Sequence, residues 1–87
     1  MLAPGPSTER LASIWRNLLD VTTIGPDDDF FDLGGHSIFA LQTVDRVFQE
    51  FGVELTIDDL FTFPTLGSLA QRIDTLSAQR QPGIRQK

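Results

Sequence analysis

Apolar residues in this chain recur at helical spacing, and they do so in three separate stretches. Leu11, Ile14, Trp15 and Leu18 stand at i, i+3, i+4 and i+7, the spacing that puts side chains on one face of a 3.6-residue period. Leu41, Val44, Phe48 and Phe51 form a second stripe, with Ala40 and Val47 beside it, and Leu66, Leu69, Ala70, Ile73 and Leu76 form a third. No stretch alternates with the period of two that a half-buried strand requires. The chain therefore reads as all-α, a four-helix bundle of three longer helices and one short one.

End signals divide these stripes into elements. Ser7 can cap the first helix, with Glu9 in its first turn, where an acid suits the positive end of the helix dipole. That helix fades around Asp20 to Thr23, ahead of Gly25-Pro26. The second runs from about Ser37 to Phe51 and stops at Gly52, a residue suited to the left-handed C-terminal cap. "TIDD" at residues 56–59 is a variant capping box opening a short helix through about Phe61, and Pro64 ends it so that Thr65 can cap the last helix. Residues 1–6, "MLAPGP", read as a flexible linker and residues 79–87 as a flexible polar, basic tail, which leaves 7–78 as the single domain.

Size and charge narrow the function classes. A chain of 87 residues buries a modest core and has little left for a deep substrate pocket, so an autonomous enzyme is disfavoured. Seven basic residues against 12 acidic ones give a net charge of −5. Nucleic-acid binding needs the opposite balance, whereas an acidic surface attracts basic patches on other proteins. There are no cysteines, so disulfides, thiolate nucleophiles and Cys-ligated metals are excluded, and any thiol this protein works with comes from outside the polypeptide. No apolar run approaches a membrane span, and the first residues lack the basic start and apolar block of a signal peptide. A monomer working in the cytoplasm is the expectation.

Residues 21–36 have no helical period, and so long a connection in so small a domain tends to be functional. Phe30, Phe31 and Leu33 are expected to pin it to the core. Asp27, Asp28 and Asp29 form a solvated, turn-forming acidic run, in which Asp29 can cap or order the loop. A calcium site does not fit. Counted from Asp28, Asp32 falls at position 5, but Phe30 stands at position 3, Gly34 at position 7 and Phe39 at position 12, which breaks the EF-hand pattern.

The loop delivers Gly34, Gly35 and His36 to Ser37 at the start of the second helix. Ser37 can act as a helix N-cap, one of the best residues for it. A nucleophile activated by His36 is disfavoured: neighbours in sequence rarely meet in that geometry, a third group must orient the base, and Phe39 stands where the nucleophile-elbow pattern needs glycine. A covalent attachment point is the third reading: free N–H groups and the positive end of the dipole favour a phosphodiester on the serine oxygen. The Gly34-Gly35 pair would open the approach for a modifying enzyme. Cap and handle are compatible roles. Phe39 lies roughly 140° around the helix from Val44, the centre of the expected core stripe, so it should be exposed, with Ile38 on the rim. Together they form a candidate docking patch.

"DDDFFDLGGHSIFAL", residues 27–41, resembles the core motif of peptidyl carrier (thiolation) domains of nonribosomal peptide synthetases. Asp29, Phe30, Phe31, Leu33, Gly34, Gly35, His36 and Ser37 fill that pattern in order, with Ile38 where leucine is commonest. "LFTFPTLGSLAQRI", residues 60–73, resembles the family's second signature. The resemblance implies a four-helix carrier fold with no catalytic residues and no metal. It implies that a phosphopantetheinyl transferase moves 4′-phosphopantetheine from coenzyme A onto Ser37, and that the resulting thiol carries an aminoacyl or peptidyl thioester. Adenylation, condensation, thioesterase or tailoring enzymes are the partners so implied, with the start of the second helix as their contact. His36 in place of aspartate tilts the likeness away from acyl carriers of polyketide and fatty-acid assembly, which stay as an alternative. A non-covalent helical adaptor is the alternative outside the carrier class.

Overall fold

The computed structural model describes residues 6–79. Four helices follow in chain order: α1 (Pro6–Leu19), α2 (Ser37–Phe51), α3 (Ile57–Thr62) and α4 (Leu66–Gln79). Helix α1 packs against α4 and α2, and the short α3 bridges α2 and α4. Among the described residues there is no strand, only an isolated antiparallel bridge between Asp29 and Thr65. Residues 1–5 of the expected linker and 80–87 of the expected tail lie outside the described residues. Pro6 and Gln79 belong to α1 and α4, so the helical domain extends one residue past each expected boundary.

The ends of the elements follow local chemistry. Helix α1 starts at Pro6, so Ser7 lies inside it and is not its cap; the Ser7 hydroxyl instead donates to the Asp74 carboxylate on α4. Asp20 follows α1 in the left-handed region at φ 57°, a conformation that short polar side chains tolerate. Gly52 closes α2 at φ 69°, its N–H donating to the Phe48 carbonyl at 2.9 Å. The box expected at Thr56 and Asp59 is complete: the Asp59 N–H donates to Thr56 Oγ1 and the Thr56 N–H to Asp59 Oδ2. Thr65 caps α4 by accepting from the Ser68 N–H at 3.2 Å.

Trp15 and Phe30 are the largest fully buried side chains, and Leu11, Leu60, Leu66, Leu69 and Ile73 surround them. Arg10 joins α1 to the end of α2: its guanidinium donates to the Glu50 carbonyl at 2.6 Å and to Glu50 Oε1 at 3.0 Å, and lies 4.5 Å from the Phe51 ring centre. Arg72 pairs with Asp59 at 3.2 Å, tying α4 to α3.

Helix α2 does not bury the face its sequence pattern indicates. The buried residues are Ala40, Thr43 and Val47, while Leu41 and Phe48 are exposed and Val44 and Phe51 half-buried. The inward face is thus centred near Val47 rather than Val44, a turn of about 60°. Trp15 and Phe30 already fill the middle of the core, so α2 meets it with small side chains and leaves its larger ones outside. The same turn draws Phe39 inward. It is half-buried and packs against the core, contrary to the exposure expected for it.

Candidate functional site

The loop from Asp20 to His36 is joined to the start of α4 by backbone hydrogen bonds. The Phe30 N–H donates to the Pro64 carbonyl at 2.7 Å, the Leu66 N–H to Asp28 at 3.0 Å and the Gly67 N–H to Pro26 at 2.8 Å. The first N–H groups of a helix have no partner within it. Here loop carbonyls supply those partners for α4, so the loop and α4 cap each other.

Residues 29–35 form one complete helical turn with both ends closed. Asp29 accepts at Oδ1 from the N–H groups of Phe31 (2.8 Å) and Asp32 (3.2 Å), as an N-cap does. At the other end, the Gly35 N–H donates to the Phe30 carbonyl at 2.9 Å and the Gly34 N–H to Phe31 at 3.2 Å. This crossed pair is a Schellman closure, with Gly34 in the position that favours glycine. Its φ of +105° confirms the need. Of the acidic run, Asp27 stays exposed, whereas Asp28 accepts from the Gly25 N–H at 2.7 Å and Asp29 caps the turn.

The expected role of the glycine pair divides. Gly34 is exposed with open space around it, but Gly35 is buried against the Phe30 ring. Gly35 therefore serves packing rather than access. Phe30 lies 5.1 Å from Trp15 between ring centres and 5.3 Å from Phe31 in an edge-to-face pair. Phe31 stacks on Phe61 at 5.0 Å and 9°. The turn is therefore anchored by aromatic contacts that run from the core to the exposed Phe61 on α3, with Leu33 half-buried beside it.

Ser37, one residue beyond this turn, is the first residue of α2 and is exposed. It is not the cap. That position belongs to His36, whose backbone is extended at φ −147° and ψ −172° and whose side chain makes no capping hydrogen bond. The His36 ring instead leans on Phe39, 4.6 Å away between centres. The first turn of α2 thus presents N–H groups without a side-chain cap, beside an exposed hydroxyl. Ile38 next to it is 62% exposed. Among the described residues no three His, Asp or Glu side chains gather as metal ligands.

Three exposed apolar side chains carry no signal of their exposure in the sequence: Leu41, Phe48 and Phe61. Periodicity assigns the first two to the core. Phe61 sits on a helix of six residues, too short for periodicity to set a face.

A model of the family described as "Phosphopantetheine attachment site" matches residues 9–73. The dimodular nonribosomal peptide synthase of Bacillus subtilis is 43% identical over 74 residues, covering 85% of this chain and 3% of that protein. Gramicidin S synthase 2 of Brevibacillus brevis is 48% identical over 73 residues, covering 83% of this chain and 2% of that protein. The chain thus spans a small fraction of the length of these relatives. In solved structures, the fold resembles a chain in the complex of the phosphopantetheine transferase Sfp with coenzyme A and a peptidyl carrier protein. The TM-score there is 0.80 at 39% identity, covering 86% of this chain and 99% of that one.

Proposed function

This chain belongs to the phosphopantetheine attachment site family, and on that premise we propose that it works as a peptidyl carrier domain of nonribosomal peptide synthesis, with Ser37 as the attachment residue. One observation carries the assignment to Ser37: an exposed serine opens a helix whose first turn has no side-chain cap among the described residues, one residue after a turn that is capped at both ends. The unpaired N–H groups and the dipole of α2 suit a phosphodiester at that oxygen. In the transfer, Ser37 Oγ bonds to the pantetheine-bearing phosphorus of coenzyme A, 3′,5′-ADP leaves, and the hydroxyl proton passes to the transferase. The attached group supplies a thiol, which this cysteine-free chain lacks, to hold an aminoacyl or peptidyl cargo as a thioester.

The chain's own residues present the handle. Asp29 and Gly34 set the turn, and Leu33, Gly35 and Phe30 bind it to the core, so Ser37 is held at a fixed place on the surface. Ile38 stands beside it as a contact for partner enzymes, among them a phosphopantetheinyl transferase and adenylation, condensation, thioesterase or tailoring domains. Phe39 supports His36 from below rather than meeting a partner directly. The reading includes a non-catalytic role and a cytoplasmic location, where coenzyme A is available. Among the described residues no helix is long and apolar enough to cross a membrane. Incubation with coenzyme A and a promiscuous transferase should add one phosphopantetheinyl mass to the intact protein. A mass gain that survives Ser37→Ala would move the attachment elsewhere.

A further inference from the structure

Helix α4 ends at Gln79, the last described residue, and Gln79 stands on the rim of a groove. Leu76, one turn earlier on the same side of α4, lines it together with Phe48, Gly52, Val53 and Glu54. Leu76 is half-buried and Phe48 exposed, so apolar surface is left in water between the ends of α4 and α2. Glu54, exposed on the wall of the groove, has no cationic partner among the described residues.

This lining suits an occupant with one apolar side chain and a cation next to it. Residues 80–87, "RQPGIRQK", have that chemistry: Ile84 is their one aliphatic residue, and Arg85 follows it. They hold three of the chain's seven basic residues and none of its 12 acids, so the acidic domain attracts them. The reach is sufficient. Pro82 disfavours helical backbone at Gln81, and Pro82-Gly83 is a turn signal. A turn there sends Ile84 back toward Leu76, which lies about 4.5 Å from Gln79 along the helix axis. Five residues span up to about 16 Å. An apolar residue just past a helix that packs on its last turn is also a common form of helix closure.

We propose that residues 80–87 fold back into this groove as a strap, with Ile84 against Leu76 and Phe48 and with Arg85 facing Glu54. The strap ties the end of α4 to the segment that follows α2 and fixes the direction in which the chain leaves the domain. Phe48 is about 16 Å from Ser37 along the axis of α2, so the strap leaves the serine clear. It uses none of the residues that present Ser37 and therefore stands apart from the carrier reading.

The test is paramagnetic NMR on the full chain. The chain has no cysteine, so Lys87→Cys supplies a unique site for a nitroxide spin label. The amides of Gly52, Val53, Glu54 and Leu76 should broaden much more than those of Ser37 and Ile38. Adding Ile84→Asp should weaken docking about tenfold, as loss of one buried aliphatic contact does, and should remove most of that broadening. Adding Glu54→Gln instead should weaken docking about twofold, as loss of an exposed ion pair does. Both substitutions lie on exposed or terminal positions, so the fold is retained. Groove broadening that persists unchanged with Ile84→Asp comes from tethering alone and would overturn the proposal. So would broadening in a mixture of isotope-labelled chain with unlabelled chain bearing the nitroxide, because the occupant would then be a second copy.

Discussion

The ring of Phe30 occupies the space that a side chain on residue 35 would need. A Cβ placed on Gly35 would lie 2.3 Å from Phe30 Cε2 and 2.4 Å from Cδ2. The ring is fully buried against Trp15 and cannot give way cheaply. Gly35 also donates to the Phe30 carbonyl, so one residue pair both closes the turn before Ser37 and packs it on the core.

Gly35→Ala should therefore lower unfolding stability by about 2–3 kcal/mol, the cost of overpacking a filled core. Urea denaturation would measure it. In a Phe30→Leu background the same change should cost clearly less, because the clashing atoms are gone. An equal penalty in both backgrounds would mean that backbone conformation, not the ring, excludes a side chain at residue 35.

Ser37→Ala should leave stability within about 0.5 kcal/mol, as at other exposed positions without a structural bond. The cap position is His36, so no capping hydrogen bond is lost. The same variant should gain no phosphopantetheinyl mass. A loss of about 1 kcal/mol or more, as for a removed N-cap, would show that the serine caps α2 in solution.

Phe39→Ala should cost about 1–2 kcal/mol, part of the penalty for removing a fully buried phenylalanine, because the ring is half-buried and packs on the core. It also removes the surface on which His36 rests. Thermal unfolding would separate this from a change confined to docking, which leaves the midpoint in place.

Thr43→Val should raise stability by about 1 kcal/mol, because an unpaired buried hydroxyl carries its full desolvation cost, which a methyl group of similar shape avoids. Thr43 is fully buried, and among the described residues its hydroxyl has no hydrogen-bond partner. An unchanged or lower denaturation midpoint would point to a bound water satisfying Oγ1.

Local signals were legible in the sequence, because capping and periodicity are properties of neighbouring residues. Thr56 and Asp59, Gly52 and Thr65 stop and start helices where their side chains or backbone freedom say they should. Ser7 and Ser37 show where that logic ends. Each is a good capping residue, yet Pro6 already lies within α1 and His36 holds the cap position of α2. A capping preference is shared by adjacent positions, and tertiary contacts select among them.

By itself, then, the sequence determined an all-α chain of four helices, a long connection pinned by Phe30, Phe31 and Leu33, and the serine at its end. The tertiary structure alone decided which side of α2 faces inward. Leu41, Val44 and Phe48 are as apolar as any core residue, but Trp15 and Phe30 come from other elements and fill the space first. Helix α2 is left to close the core with Ala40, Thr43 and Val47. Packing density is a property of all the elements together, so no single stretch of sequence could announce that Phe39 would turn in and Leu41 and Phe48 would turn out.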